Sequence, residues 1–158
     1  SMQNIVLIGM PGCGKSTVGR LLAERLGREL LDADAAVEAA AGCTIPEIFA
    51  QGGEAAFRRM ETQALETLGK RSGCVIATGG GCVTRDENYP LLHQNSVIVW
   101  LQRDTARLPS KGRPLSQNAN LAAMYAVRAP LYARFSDYSA DNNGSPEETV
   151  RHIMEVLS

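Results

Sequence analysis

The segment Gly9-Met10-Pro11-Gly12-Cys13-Gly14-Lys15-Ser16 follows the apolar run Ile5-Val6-Leu7-Ile8, and no other feature constrains the chain as tightly. It is the Walker A pattern G-x-x-x-x-G-K-[ST], set between a buried strand and an amphipathic helix. Val18, Leu21, Leu22 and Leu26 recur at helical spacing behind it, and Gly27 supplies a stop. Glycines let the backbone wrap a polyphosphate and aim N–H groups at it, helped by the positive end of the helix. Gly12, Cys13, Gly14, Lys15, Ser16 and Thr17 are therefore the expected nucleotide contacts. Lys15 would reach the terminal phosphates, and the Ser16 hydroxyl would ligate Mg²⁺. The motif predicts binding of a nucleoside triphosphate.

At 158 residues the chain is read as a single domain over 1–158, with Ser1 set aside as the remnant of a tag. A net charge of -1 gives no general attraction to nucleic acid or to a membrane surface, so anion binding must come from placed arginines. No apolar stretch approaches the roughly 20 residues that span a bilayer, and no N-terminal segment has signal-peptide form. Cys13, Cys43, Cys74 and Cys82 make no C-x-x-C pair and have no histidine at metal-ligand spacing. Reduced, cytoplasmic thiols used as small residues are expected. Cys13 stands apart: at a helix N-terminus its pKa would fall, which makes it a candidate oxidation-sensitive thiol.

Strand and helix signals alternate along the rest of the chain. Strands are expected at Glu29–Leu31, Cys74–Ala77, Val97–Leu101 and Tyr138–Ala140. Thr44-Ile45-Pro46-Glu47 and Ser145-Pro146-Glu147-Glu148 have capping-box form and open helices. A longer helix after Gly52-Gly53 places Phe57, Met60, Ala64 and Leu68 on one face, and the last helix packs through Val150, Ile153, Met154 and Leu157. Residues 103–117 are polar and aperiodic, the expected short mobile lid, and a helix from about Asn118 to Ala129 ends or kinks at Pro130. Trp100 reads as core, and His93 and His152 as surface. This order predicts an α/β fold with a five-stranded parallel sheet flanked by helices on both faces. Ligands collect beyond the carboxyl ends of such strands.

Those ends carry a second constellation. Asp32 and Asp34 follow the second strand; on an extended backbone they would face opposite sides, one serving a metal and the other a substrate hydroxyl. A helix N-cap plus a solvated acid is the structural alternative. Arg58, about 100° round the helix from Phe57, would project toward the same cleft. Gly79-Gly80-Gly81 at a strand end would let a ligand touch bare backbone.

With these residues in place the chain resembles the shikimate kinases, small P-loop kinases of aromatic amino-acid biosynthesis, over nearly its whole length. The resemblance is carried by the phosphate loop through Thr17, Leu31-Asp32-Ala33-Asp34, Ile45-Pro46-Glu47-Ile48-Phe49, Gly53-Glu54-Ala55-Ala56-Phe57-Arg58, Ala77-Thr78-Gly79-Gly80-Gly81, Arg113-Pro114-Leu115 and Arg128-Ala129-Pro130-Leu131-Tyr132. It implies a P-loop kinase fold and transfer of the ATP γ-phosphate to the 3-hydroxyl of shikimate. Asp34, Arg58, Gly79, Gly80, Gly81 and Arg128 fall where the family binds substrate, and Arg113 where a lid arginine closes over the ATP phosphates. Lys15, Asp34 and Arg113 are the implied catalytic residues, with Ser16 and Asp32 holding one Mg²⁺ that arrives with ATP. The chain departs from the family pattern in its short Leu101–Arg113 segment, in Cys13, in Ser116 and in an adenine-side loop, Asp141-Asn142-Asn143-Gly144, without arginine. Arg107 or Lys111 would contact nucleotide from the lid. The implied partners are ATP and shikimate, and the expected state is a cytoplasmic monomer. A gluconate-type small-metabolite kinase and a catalytically silent nucleotide-binding module are the alternatives.

Overall fold

A strand that is apolar on both faces must lie in the middle of a covered sheet, and the run that precedes the phosphate loop does. All five residues of β1 (Asn4–Ile8) are buried. The computed structural model describes residues 2–108 and 115–158, the side chains of 115–119 excepted. After β1 come α1 (Lys15–Leu26), β2 (Leu30–Asp32), α2 (Ala33–Ala41), α3 (Ile45–Gly69), β3 (Val75–Ala77), α4 (Asn88–His93), β4 (Ser96–Gln102), α5 (Leu115–Phe135), β5 (Tyr138–Asp141) and α6 (Pro146–Leu157). The five strands are parallel in the order β2-β3-β1-β4-β5, with Ile5 opposite Val75 on one edge of β1 and Val97 on the other. α1 packs on β3 and on α6, while α4 and α5 pack on β4. The polar first residue of β1 is satisfied inside the core: Asn4 Nδ2 donates to the Arg71 carbonyl at 2.7 Å and Oδ1 accepts from Cys74 N at 2.9 Å.

Local chemistry sets the helix starts. Thr44 Oγ1 accepts from Glu47 N and Glu47 Oε1 accepts from Thr44 N, both at 3.3 Å, closing the expected capping box. At the head of α6, Ser145 Oγ accepts from Glu148 N at 3.2 Å with Pro146 at the first helical position. α3 is two helices joined at Gly53, whose φ of 72° and ψ of -174° break the helical path where a side chain would be strained. Phe49 stacks on Phe57 across this break, ring centroids 5.1 Å apart.

Three expectations need correction. The inward stripe of α3 is Phe57, Glu61, Leu65 and Leu68, not Phe57, Met60, Ala64 and Leu68; Met60 is exposed and the acid Glu61 is buried. The stripe turns because Glu61 is ion-paired with the largely covered Arg58 at 2.8 Å. α5 begins at Leu115 and runs through Pro130 to Phe135. An interior proline costs a helix about 3 kcal/mol, but burying a large side chain returns roughly 1.5–3 kcal/mol each, and Tyr132 and Phe135 beyond the proline are both fully buried. The segment expected as a mobile lid, 103–117, is regular structure at both ends, and 109–114 lie outside the described residues. Thr105–Arg107 forms a turn of 3-10 helix held by Arg103 Nη1 to Asn142 O (2.7 Å) and Arg107 Nη1 to Asn143 O (2.9 Å), and 115–117 belong to α5. Trp100 is core, packed on Tyr132 at 5.7 Å, and His93 pairs at the surface with Asp137 at 3.2 Å.

The end of α3 offers a stability test. Alanine normally outranks glycine in a helix by about 1 kcal/mol, but a Cβ on Gly69 would collide with the Leu91 carbonyl oxygen of α4 and lie 3.1 Å from Gln94 Nε2. Backbone cannot yield as a side chain tip can, so the clash wins. Gly69→Ala is expected to destabilise the protein by about 1–3 kcal/mol in urea unfolding; an unchanged or raised midpoint would show that α3 and α4 are free to separate.

Candidate active site

The turn after β1 is anchored from below. Met10 and Cys13 are buried, and Cys13 N donates to Met10 O at 3.1 Å. Lys15 opens α1 and is itself buried, its ammonium donating to the Gly9 carbonyl at 2.5 Å and the Met10 carbonyl at 2.9 Å. Neutral carbonyl acceptors hold the lysine over the loop without cancelling its charge. Ser16 and Thr17 are exposed beside it. This loop, Asp32, Asp34 and Ala77–Gly80 enclose a cleft of about 430 Å³. Cys13 does not fit the oxidation-sensitive thiol expected of it. Burial pushes its pKa above the ordinary value, and the nearby Lys15 charge only partly opposes that. Cys82 is pushed up to about 12 by the same cause.

Asp32 and Asp34 are not the two sides of an extended strand. Asp32 ends β2 and caps α2, its Oδ1 accepting from Ala35 N at 3.0 Å. Asp34 lies in the first turn of α2, and both carboxylates still reach the same cleft. The N-cap role and the cleft position thus coexist. Asp34 is half-buried; its Oδ1 is buried and has no hydrogen-bond partner among the described residues. Burial first, and then the Asp32 charge, raise its pKa above the ordinary 3.8.

Arg58, its side chain 11% exposed, packs beside the cleft rather than projecting freely into it. Its Nη1 donates to Glu61 Oε1 at 2.8 Å, and its guanidinium stands 5.1 Å from the centre of the Phe57 ring. Nε is ion-paired with Glu54 Oε1 at 3.5 Å but makes no hydrogen bond. Glu61 was not anticipated. Its side chain is 1% exposed, burial raises its pKa although Arg58 opposes this, and its Oε2 is a second orphaned oxygen. An acid three residues after Arg58 in an otherwise apolar stripe was the signal in the sequence. Burial raises the pKa of both Glu61 and Tyr132, and the charge of Arg128, on α5, opposes this at each, so Arg128 belongs to the same cluster.

The three glycines join these parts. A Cβ on Gly79 would lie 2.8 Å from Asp34 Oδ1 and 3.1 Å from Glu61 Oε2; one on Gly80 would lie 2.6 Å from Pro11 of the phosphate loop; one on Gly81 would collide with the Arg58 guanidinium. Protein atoms occupy these positions, where a ligand on bare backbone was expected, and only Gly79 and Gly80 line the cleft. Tyr132, also unanticipated, donates to Gly80 O at 2.5 Å and fixes the turn.

A second pocket of about 330 Å³ lies on the other side of the phosphate loop, between Gly12–Gly14, Arg103, Arg107 and the loop Asn142–Gly144. Arg107, expected at the nucleotide, lines it; Lys111 and Arg113 lie outside the described residues. No cluster of three or more His, Cys, Asp or Glu able to hold a metal occurs among the described residues. Ser16 and Asp32 offer hard oxygen donors, the chemistry that suits an ion bringing its own water and phosphate ligands. No helix among the described residues is long and apolar enough to cross a membrane.

The chain is similar to known proteins over nearly its whole length. The family model for shikimate kinase matches residues 11–158. A shikimate kinase of Parasynechococcus marenigrum is 43% identical over 165 residues, covering 98% of this chain and 86% of the relative. The solved structure of a shikimate kinase from Acinetobacter baumannii in complex with shikimate superposes with a TM-score of 0.90 at 38% identity, covering 99% of this chain and 93% of that one. A gluconokinase from Sinorhizobium meliloti, at 17% identity and a TM-score of 0.57 over 98% of this chain and 91% of its own, shares the fold alone. A match of this extent, on a phosphate loop joined through three glycines to an acid–arginine cluster, leaves one conclusion: the chain belongs to the shikimate kinase family.

Proposed function

We propose that this chain transfers the γ-phosphoryl group of ATP to the 3-hydroxyl of shikimate. The observation that carries the reading is that the phosphate loop and Asp34 line one cleft with Gly79 and Gly80, and that the same glycine turn continues through Gly81 onto Arg58. Phosphoryl transfer passes through a loose transition state, so positioning and charge do most of the work. Lys15 would exchange its carbonyl partners for phosphate oxygens, and Arg113 would add charge from the lid. Ser16 and the oxygen of Asp32 not used in capping would hold Mg²⁺, which supplies charge neutralisation of the phosphates. Asp34, with an unpartnered oxygen and a raised pKa, would accept a hydrogen bond from the reacting hydroxyl and then its proton. Arg58, steadied by Glu61, and Arg128 would take the substrate carboxylate.

Two arginines select a carboxylate, but gluconate carries one too; family membership, not the charge clamp, disfavours the gluconate reading. A silent nucleotide-binding module has no need of a buried, incompletely paired acid–arginine cluster. ADP release coupled to NADH oxidation, measured with shikimate, with gluconate and without acceptor, tests all three. Turnover with shikimate alone is expected; equal turnover with gluconate, or none above the acceptor-free rate, would overturn the assignment.

Lys15→Met is expected to lower kcat on the order of a hundred- to a thousandfold by removing charge from the transferring group, with the far-ultraviolet circular dichroism unchanged. Retention of wild-type kcat would remove the loop from the chemistry.

Arg128→Ala should weaken shikimate binding about 10- to 150-fold, the value of one charge-assisted hydrogen bond set, with ATP binding in the absence of acceptor unchanged by calorimetry. Arg128→Lys should recover only part, because the planar fork is lost. Arg58→Ala is a less clean probe, since it also strands buried Glu61 at a cost of about 3–5 kcal/mol in stability.

Asp34→Asn should abolish most of kcat and yet stabilise the free protein near neutral pH. The folded chain holds the Asp34 proton more tightly than the unfolded chain does. The stability it contributes is therefore complete below its ordinary 3.8 and lost as pH rises through the raised value. Thermal melts should show Asp34→Asn above wild type near neutral pH, the gap closing as pH falls toward 3.8. A gap independent of pH would assign the effect to packing instead.

A further inference from the structure

Asn142 is buried, 3% exposed, and every group it carries is engaged. Its Nδ2 donates to the Cys13 carbonyl at 2.7 Å, and its Oδ1 accepts from Thr149 Oγ1 at 2.7 Å. Its backbone N donates to Gln102 O at 2.7 Å, and its carbonyl accepts from Arg103 Nη1 at 2.7 Å. The side-chain amide can be oriented in only one way, because the Cys13 carbonyl is an acceptor and must face N–H. Gly14, with φ 103°, lies directly beneath: a Cβ there would come 2.5 Å from Asn142 Nδ2. The glycine thus admits the asparagine to the carbonyl of the preceding residue.

From this we propose that Asn142 is a positioning residue that fixes the Cys13–Gly14 peptide of the phosphate loop and links it to the Arg103 side of the second pocket. The inference rests on the reading that this loop binds the ATP phosphates. A trans peptide points its C=O and N–H in opposite directions. With the Cys13 carbonyl held on Asn142, the Gly14 N–H faces away from the β5–α6 loop, toward the cleft that Gly14 also lines. Rotating this peptide by half a turn would present a carbonyl oxygen to a phosphate and replace attraction by repulsion. The other side chain at this point gives the loop no such control, since Cys13 Sγ is turned inward, 3.8 Å from Lys15 Nζ. The same asparagine accepts from Arg103, which lines the second pocket with Arg107. A ligand group that draws Arg103 away acts on the hydrogen-bond set that orients the phosphate loop. Thr149 secures the far end of the amide and does not itself line that pocket; its hydroxyl also lies 3.2 Å from Asp141 O and 3.3 Å from Ser145 O.

The test uses the full chain and three variants, Asn142→Ala, Thr149→Val and the double substitution. Calorimetry with ATP and with ADP, and steady-state kinetics in both substrates, supply the readouts. Asn142→Ala should weaken both nucleotides about ten- to a hundredfold, the range for losing one hydrogen bond to a charged group. The KM for shikimate should stay within about twofold of wild type by the same scale. Thr149→Val should shift nucleotide affinity in the same direction by less, and the double variant should be no weaker than Asn142→Ala alone. The ¹⁵N–¹H resonance of Gly14, which moves on ADP addition in wild type, should move less in both single variants. A merely structural asparagine would lower Tm and leave nucleotide affinity and the Gly14 shift as in wild type, and that result overturns the proposal. If Asn142→Ala fails to fold, Thr149→Val decides alone: wild-type ADP affinity with a lowered Tm rejects the positioning role. Lys15→Met separates the two levels of argument. If it leaves ATP turnover intact, the phosphate-loop reading has failed; if it does not while Asn142→Ala and Thr149→Val are silent, only the positioning role has.

Discussion

Parallel pairing on both edges of β1 is the constraint from which the rest of the molecule follows. β1 is bonded to β3 and β4 and covered on both faces, so its direction is set before any loop is placed. Because every strand runs the same way, every strand delivers its following loop to the same edge of the sheet. Ile8 hands on to the phosphate loop, Asp32 to α2, Ala77 to the glycines and Gln102 to Arg103. Cross-links between strand ends tighten this edge. Thr78 Oγ1 donates to Leu7 O at 2.8 Å, and Asn142 N donates to Gln102 O at 2.7 Å. An antiparallel strand in the middle would have sent one of these segments to the opposite side.

At that edge the polar accounting changes. Elsewhere among the described residues the buried polar side chains are paired, Ser96 excepted; Asn4 and Asn88 each find partners within the core. Of the buried side-chain atoms left unpartnered among the described residues, Asp34 Oδ1, Arg58 Nε and Glu61 Oε2 belong to one cluster, and only Ser96 Oγ lies apart. Each such group costs about 1–3 kcal/mol, a load that an apolar cluster built on β1, β3 and β4 can bear. Partial pairing is also what would leave the cluster able to bind. An Arg58 fully satisfied by protein would have nothing left to offer a carboxylate, and an unpaired one would not hold its orientation. Glu61 fixes one edge of the guanidinium and leaves Nε without a hydrogen bond, 3.5 Å from the Glu54 carboxylate.

How much of this could be read from the chain depended on whether the cause was local. The phosphate loop, the capping box at Thr44 and the break at Gly53 follow from neighbouring residues and stand where the sequence places them. The strand order places Asp32, Asp34 and Gly79 at one cleft, as a parallel sheet requires. Glu61 was missed because an acid in a helix is ordinarily solvated, and only a tertiary partner makes burial tolerable. Pro130 reads as an end or a kink because its effect is local, whereas the anchoring of Tyr132 and Phe135 beyond it comes from the core. The extended geometry assumed for Asp32 and Asp34 failed at a junction: α2 starts within the motif, so the two acids reach one cleft from a cap and a first turn. Cys13 was judged by its place at a helix terminus, but burial outweighed the charge beside it.

The three glycines show how packing and chemistry become one requirement. Phosphoryl transfer needs donor and acceptor held a few ångströms apart in fixed orientation, while the groups that hold them come from segments distant in sequence. Gly79 lets Asp34 and Glu61 close on the backbone from α2 and α3, Gly80 lets Pro11 bring the phosphate loop against the same turn, and Gly81 lets Arg58 lie flat on it. The turn is a spacer one backbone thick between the loop that would grip ATP and the side chains that would grip its acceptor. A methyl at any of the three positions would displace a different partner. Separation of the two sites is thereby set by van der Waals contact with main chain, which is far stiffer than any arrangement of side-chain tips. Tyr132, donating to the Gly80 carbonyl from a position beyond Pro130, brings α5 into this same contact. The helix that continues past its proline therefore does more than fill the core: it carries Arg128 one turn before the residue that clamps the spacer.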